Sequence, residues 1–146
     1  MSNIGKLLES KGTVIWSIKP DDSVFNAIKL MDEKGIGALA VIADDKLVGI
    51  VSERDCARKV ILKNLPAKQA KVQEIMTKDV IFTHPMQTVQ ECMAVMTKRR
   101  IRHLPVLDNK QLLGMISLGD LAKEVISEQQ FIIENLEHTL SWGENY

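Results

Sequence analysis

Apolar and polar positions along the chain follow two periods, which predict short helices alternating with short strands. Ser23 is a suitable helix N-cap, and Gly35 suits the left-handed residue that often ends a helix. Between them, apolar residues recur at the spacing of one helix face: Val24, Ala27, Ile28 and Met31. Residues 38–43 and 47–52 are apolar runs on either side of Asp44-Asp45. This part of the chain therefore predicts a helix followed by a tight β-hairpin.

The same pattern returns 65 positions later. A strand is predicted at residues 15–18, before the first helix, and another at 80–83, before its counterpart. Thr88 and Glu91 form a capping-box pattern at the start of that second helix. Its apolar face is expected to pack in the core, as is Met31 of the first helix: Val89, Cys92, Met93 and Met96.

A second hairpin and two closing helices complete the predicted order. Strands at 103–107 and 112–117 are expected around a turn at Asp108-Asn109. One helix is predicted at 54–63 and another from 120 to 127. The latter is expected to continue along a possible apolar stripe: Phe131, Ile132, Leu136 and Leu140. The chain is thus predicted to contain a β-α-β-β-α unit twice.

The two units are also related residue by residue. Positions 6 to 61 and their partners 65 residues on are identical at 15 of 56 places. We expect repeats at 6–65 and 66–130, with a helical tail at 131–146. A unit of about 60 residues is marginal alone, so the two should pack together as one α/β fold of α+β type. Functional clefts are then expected at their junction.

The amino-acid composition argues against several classes of function. Lys+Arg and Asp+Glu both number 19, and the aromatics are three Phe, two Trp and one Tyr, so a nucleic-acid surface is not favoured. No apolar stretch reaches the length of a membrane span, and no secretion signal is evident. Cys56 and Cys92 fit neither a redox pair nor a metal site. We expect a cytoplasmic protein with no membrane association and no metal.

Each predicted second strand ends in Gly, two apolar residues, Ser, two free positions and Asp. The runs are 49–55 and 114–120. A helix N-terminus favours phosphate, and a carboxylate can accept from ribose hydroxyls. The alternative is purely structural, because Ser-x-x-Asp before a helix is also a capping box. No arrangement of nucleophile, base and acid indicates a catalytic site.

Combined with two further runs, these signatures resemble the cystathionine β-synthase (CBS) domain. The further runs are Lys19–Val24 and Ile101–Val106, and the resemblance covers about residues 6 to 127. The chain resembles a tandem pair of CBS domains, called a Bateman module, of the stand-alone bacterial type. The resemblance implies two clefts for adenosyl ligands such as AMP, ADP, ATP, NAD(H) or S-adenosylmethionine. It also implies that the two repeats pack about a pseudo-twofold axis and that two chains form a disk-shaped homodimer.

The resemblance implies a role for particular residues of each cleft. Phosphate and ribose would be held by the signature residues: Ser52, Asp55, Ser117 and Asp120. Adenine would lie against the lead-in segments 13–15 and 77–80 and the following strands, with these contacts singled out: Thr13, Ile15, Ala38, Val80 and His103. Arg54 is a further candidate for phosphate.

One dense basic cluster distinguishes the second repeat. Arg102 and His103, at the start of a strand, suit a phosphate clamp, whereas Lys98 and Arg99 are expected to be solvated. The first repeat has Gly37 and Ala38 there, so the two clefts should differ. Trp16 is expected in the core and His84 in solvent.

The sequence therefore predicts a non-enzymatic regulatory module that binds an adenine nucleotide and passes its state to an unknown protein partner. The segment 128–142 is a candidate partner or dimer element, or else a helix folded back on its own domain. Two alternatives remain: a structural protein whose clefts no longer bind ligand, and an enzyme acting on nucleotides.

Overall fold

The computed structural model describes residues 2–12 and 14–144, with side-chain surroundings described as far as His138. The elements in chain order are helix α1 (Ile4–Lys11), strand β1 (Ser17–Ile18), helix α2 (Val24–Lys34), strands β2 (Ala38–Ala43) and β3 (Lys46–Ser52), helices α3 (Glu53–Leu62), α4 (Val72–Ile75) and α5 (Val89–Arg99), strands β4 (His103–Asp108) and β5 (Gln111–Ser117), and helix α6 (Leu118–Glu144). The α+β fold class is confirmed, and so is the repetition, except that the second unit lacks its first strand.

The hairpins form as predicted, with one turn displaced. β1 is parallel to β2, and β2 pairs antiparallel with β3. Asp44 and Asp45 form the first turn with φ of 51° and 60°, as a two-residue hairpin turn requires. The second turn is Asn109-Lys110, with φ of 49° and 66°. The prediction of Asp108-Asn109 was wrong because Asp108 still pairs with Gln111 in the ladder.

The strand predicted at 80–83 does not form and is reduced to one bridge, between Thr83 and Val106. In the first repeat, the Ala40 N–H donates to the Trp16 carbonyl at 3.3 Å, which helps to hold β1 against β2. Pro105 occupies the corresponding position of β4 and has no N–H to donate. The missing donor explains why the second sheet has two strands and the first has three.

The core consists of two clusters, and each includes the helix that precedes the other repeat. The first cluster, built on α2, β2 and β3, also contains Ala70, Val72 and Ile75 from α4 and its lead-in. The second, built on α5, β4 and β5, also contains Ile4, Leu7 and Leu8 from α1. The two halves therefore exchange their leading helices, and the core crosses the repeat boundary expected from sequence.

This exchange explains the glycine of each signature. A Cβ on Gly49 would lie 2.7 Å from Met76 Sδ and 3.0 Å from the Thr77 carbonyl oxygen. A Cβ on Gly114 would lie 2.9 Å from Leu8 Cδ2. Each exchanged segment thus passes directly over the strand glycine, and a larger residue would require the segment to shift.

The helices begin and pack largely as predicted. Ser23 and Thr88 accept hydrogen bonds from the backbone amides of Asn26 and Glu91, at 3.0 and 3.1 Å. Met31, Cys92 and Met96 are buried, and Met93 packs against the second cluster. The long α6 confirms the predicted continuation of the closing helix beyond residue 127.

Candidate functional site

A cavity of about 740 Å³ lies where the two repeats meet; we call it the first cavity. The first repeat contributes the end of β3 and the start of α3. The second contributes the residues before and at the start of β4, together with the start of α6. Polar and charged residues from both halves line it: Ser52, Glu53, Arg54, Asp55, Thr77, Asp79, Arg100, Arg102, His103 and Ser117.

Ser52 and Asp55 form a reciprocal cap at the start of α3. The Asp55 amide donates to Ser52 Oγ at 3.1 Å, and the Ser52 amide donates to Asp55 Oδ2 at 3.1 Å. Asp55 Oδ1 lies 3.2 Å from Lys59 Nζ, one turn further along the helix. The capping interpretation of Ser-x-x-Asp is therefore realised, and it fixes this carboxylate at the cavity wall.

Basic residues face the Asp55 side from the second repeat. Arg100, Arg102 and His103 line the first cavity, and Arg54 joins them from α3. Arg54 Nη1 donates to the Arg100 carbonyl oxygen at 3.2 Å, which links the two repeats across the cavity. Several guanidinium groups around one opening suit an anionic group with planar oxygens, such as phosphate.

A second cavity, of about 390 Å³, lies against the other signature. It is lined by residues of both repeats and of the segment before β1: Lys11, Gly12, Val14, Trp16, Gly35, Ile36, Gly37, Ala38, His103, Met115, Ser117 and Asp120. Ser117 and Asp120 repeat the cap, with the Ser117 amide donating to Asp120 Oδ2 at 2.8 Å and the Asp120 amide donating to Ser117 Oγ at 3.1 Å.

Lys11 gives the second cavity a charge that sequence reasoning did not expect. Its Nζ donates to Asp120 Oδ2 and to the Met115 carbonyl oxygen, both at 2.6 Å. Burial alone would raise the pKa of Asp120, but the Lys11 and Ser117 hydrogen bonds outweigh it and leave this pKa below its usual value. The carboxylate is therefore charged and paired at neutral pH.

His103 lies between the two cavities and lines both. A Cβ on Gly37 would lie 3.2 Å from His103 Cε1, so the imidazole ring packs directly on this glycine. Burial lowers the pKa of His103, and the Lys11 charge lowers it further, although Asp120 opposes the shift. The ring is thus held neutral at neutral pH and separates the cavities.

The structure brings most of the predicted site residues together. Six line the first cavity: Ser52, Arg54, Asp55, Arg102, His103 and Ser117. Ala38 and Asp120 line the second, with His103 and Ser117 shared. Thr13 lies outside the described residues.

Ile15 and Val80 line neither cavity, although both were predicted to contact adenine. Neighbouring residues line the cavities: Val14 and Trp16 line the second, and Thr77, Asp79 and Ile81 line the first. The adenine contacts of Ile15 and Val80 stay predictions, because a contact through the backbone would not require either side chain in a cavity.

Trp16 is not a core residue, contrary to the sequence prediction. Its side chain is 39% exposed at the second cavity, and Lys34 Nζ lies 4.3 Å from its ring centroid. The apolar neighbours of Trp16 suggested burial, but β1 begins only at Ser17. Lys98 and Arg99 are exposed as expected, as is His84.

The cysteines and acidic residues indicate no further chemistry. Burial raises the pKa of the Cys56 thiol to about 11, and neighbouring Asp55 and Glu53 add to this, so a thiolate is disfavoured. Among the described residues, no group of three or more His, Cys, Asp or Glu is placed to hold a metal ion. Nor does any helix in that part of the chain have the length and apolar character needed to cross a membrane.

The repeated unit and the junctional cavities define a protein built from two paired repeats, and the family comparison agrees. Residues 13–62 and 72–127 each match the CBS domain. The chain therefore belongs to the CBS domain family, as a pair of CBS repeats.

Relatives with this architecture match nearly the whole chain. A mitochondrial CBS domain-containing protein of Arabidopsis thaliana is 34% identical over 152 residues, spanning 97% of this chain and 73% of that protein. A solved protein with CBS domains from Burkholderia ambifaria is 49% identical, with a TM-score of 0.85, and the match covers 88% of this chain and 96% of that one.

The CBS domain pair of protein MJ0100 was solved with 5′-methylthioadenosine and S-adenosyl-L-methionine. It has a TM-score of 0.78 over 88% of this chain and 98% of that one, at 24% identity. At this identity the likeness shows the shared fold.

Proposed function

We propose that this protein is a non-enzymatic regulatory module that binds an adenine nucleotide, such as AMP, ADP, ATP or NAD(H), in the first cavity. The observation that carries the proposal is the meeting of Ser52 and Asp55 from one repeat with Arg102 and His103 from the other. A ligand that contacts both sides would favour one arrangement of the repeats, and a protein partner could read that arrangement.

The chemistry of the first cavity supports this ligand class. Arg54, Arg100 and Arg102 offer planar donors to phosphate oxygens. Asp55 lines the first cavity, and its carboxylate can accept from ribose hydroxyls. Ile50, Ile81 and Ala122 provide an apolar part of the lining for a purine base. The CBS domain pair of protein MJ0100, which shares the fold, was solved with two adenosyl compounds, and this supports the ligand class.

Thermal unfolding provides the first test. A ligand bound only by the folded protein stabilises it by about 2.7 kcal/mol at 100 times its dissociation constant. Millimolar AMP, ATP or NADH should therefore raise the melting temperature by several degrees, and GTP should do less. If no adenosyl compound, S-adenosylmethionine included, shifts the transition, the ligand-free structural alternative replaces this proposal.

Calorimetric titration then tests the residues. Asp55→Ala and Arg102→Ala should each weaken AMP or ATP binding by at least about tenfold, roughly 1.4 kcal/mol. Asp120→Ala removes the equivalent cap from the other repeat and should affect only a second, weaker event. Arg99→Ala removes an exposed arginine and should have no effect. Loss of the tight event in Asp120→Ala, with Arg102→Ala unchanged, would place the tight site in the other cavity.

We also propose that the protein acts as a homodimer. On α6, apolar side chains point away from the chain's own core: Ile126, Phe131, Ile132, Ile133 and Leu136 are all exposed. This supports the dimer or partner interpretation of 128–142 over a helix folded back on its own domain; the side chains of Leu140 and Trp142 lie outside the described set. Light scattering should report twice the chain mass of 16.4 kDa. A strict monomer at tens of micromolar, with and without nucleotide, would contradict the dimer.

A further inference from the structure

The lysine that pairs with Asp120 has no counterpart at the equivalent position of the other half. Lys11 is the last residue of α1, and the position 65 residues later is Met76. Met76 packs against the first core cluster and carries no charge. The second cavity thus has a cation for which the repeat provides no equivalent.

The direction of approach distinguishes Lys11 from the lysine at the other signature. Lys59 reaches Asp55 from within α3, donates at 2.8 Å to the Ile75 carbonyl oxygen, and does not line the first cavity. Lys11 comes from a different element, reaches Asp120 and itself lines the second cavity. One carboxylate is paired from its own helix, whereas the other is paired from the side that a ligand would occupy.

The contacts of Lys11 are those that a ligand hydroxyl would need. Asp120 Oδ2 already accepts from the Ser117 amide and from Lys11 Nζ. A hydroxyl donor that enters the second cavity therefore meets a carboxylate whose Oδ2 is occupied and whose charge is paired with Lys11. Lys11 brings one paired ammonium group to the second cavity, whereas three guanidinium groups line the first.

We propose that Lys11 is a tethered competitor that occupies Asp120 and keeps the second cavity weak for adenosyl compounds. This inference rests on the proposed function, because it takes Asp120 as the residue that would hold the ribose hydroxyls. A ligand hydroxyl that donates to Asp120 Oδ2 must displace the ammonium group, which also donates to the Met115 carbonyl oxygen. Lys11 thereby makes the two cavities unequal.

Adenosine is the decisive probe, because it has the ribose hydroxyls but no phosphate that a lysine could attract. Calorimetry is performed in the Asp55→Ala background, in which the first cavity is weakened. Lys11→Met should bind adenosine at least about tenfold more tightly than the background protein, and adding Asp120→Ala should abolish the gain. Lys6→Met removes an exposed lysine from the same helix and should change nothing. Lys11→Gln, which keeps an uncharged donor, should give a smaller gain, and it replaces Lys11→Met if that variant does not unfold cooperatively.

The outcomes separate this inference from the proposed function. If AMP still binds the first cavity of the otherwise unchanged protein, but Lys11→Met leaves adenosine affinity in the second cavity unchanged, the competitor role is overturned alone. Weaker binding in Lys11→Met also overturns it, because Lys11 would then be a ligand contact. If no adenosyl compound binds the unchanged protein or Lys11→Met, both proposals are overturned.

Discussion

The two cavities are built on the same Ser-x-x-Asp turn, yet their surroundings differ in charge and in origin. Around Asp55, arginines from both repeats line a large opening, and the carboxylate's lysine partner lies outside it. Around Asp120, the opening is smaller and contains the paired lysine itself. The motif fixes a carboxylate and a helix start, while residues from elsewhere in the chain decide what each site can bind.

In the packing of their leading helices, by contrast, the two halves are alike. α1 and α4 lie before different repeats, and each completes the core of the other one. The two halves are thus alike in the packing of the core and differ in the residues that line their cavities.

The exchange of leading helices should have the largest measurable effect. Ile4 and Ile75 are fully buried in the core of the opposite half. Ile4→Ala and Ile75→Ala should each lower the free energy of unfolding by about 2–5 kcal/mol, because each leaves a cavity in a packed core. Urea unfolding measures this loss, and Ile61→Ala, at a side chain that is 74% exposed, is the control. A loss as small as that of the control in either variant would show that the exchange is not structurally important.

Substitution of the strand glycines Gly49 and Gly114 should reveal a smaller difference in stability between the two halves. A Cβ at residue 49 would meet a backbone oxygen as well as the flexible Met76 side chain, whereas at residue 114 it would meet only the end of Leu8. Overpacking of a core costs about 1–3 kcal/mol. Gly49→Ala should fall in that range and Gly114→Ala below it, as measured by urea unfolding. Equal losses would mean that the two exchanged segments adapt equally well.

The smallest expected effect concerns the ion pair between Lys11 and Asp120 in the second cavity, which acid unfolding should detect. The pKa of Asp120 is lowered in the folded protein, so its contribution to stability is present above its ordinary pKa of 3.8 and is lost as pH falls through the lower, folded value. Asp120→Asn and Lys11→Met should each make stability less dependent on pH below about 4. Carbon-detected NMR should also show a higher Asp120 pKa in Lys11→Met. A steeper acid dependence in either variant would contradict the assigned pair.

The repeat accounts for what could be predicted from sequence. Capping residues, helix faces and hairpins recur in both halves, so each prediction had an internal check. The error at residues 80–83 came from one proline, because Pro105 removes a donor that Ala40 provides in the first repeat. The family resemblance singled out the lead-in segments 13–15 and 77–80, and Val14 and Thr77 do line the cavities, but the resemblance did not show which side chains of these segments face them.

Lys11 could not have been placed from local sequence at all. Its role depends on α1 crossing to the second repeat, and this crossing brings it within 2.6 Å of Asp120. A clue was present in Leu7 and Leu8, an apolar pair too short to form a core of its own. Arg100 was recognised as part of the basic cluster, but the sequence assigned it no role; it occupies a left-handed helix end that is usually glycine, with φ of 56°.

The exchange of leading helices also sets an order of events during synthesis. As the chain leaves the ribosome, the first repeat cannot close its core until Val72 and Ile75 have emerged, well beyond its own last helix. The α1 residues Leu7 and Leu8 must wait longer, because Ile116 and Leu121 lie near the other end of the chain. Contacts between such distant residues slow folding. Neither half can therefore complete its core alone, and the cavities between the halves form only after α6 has been synthesised.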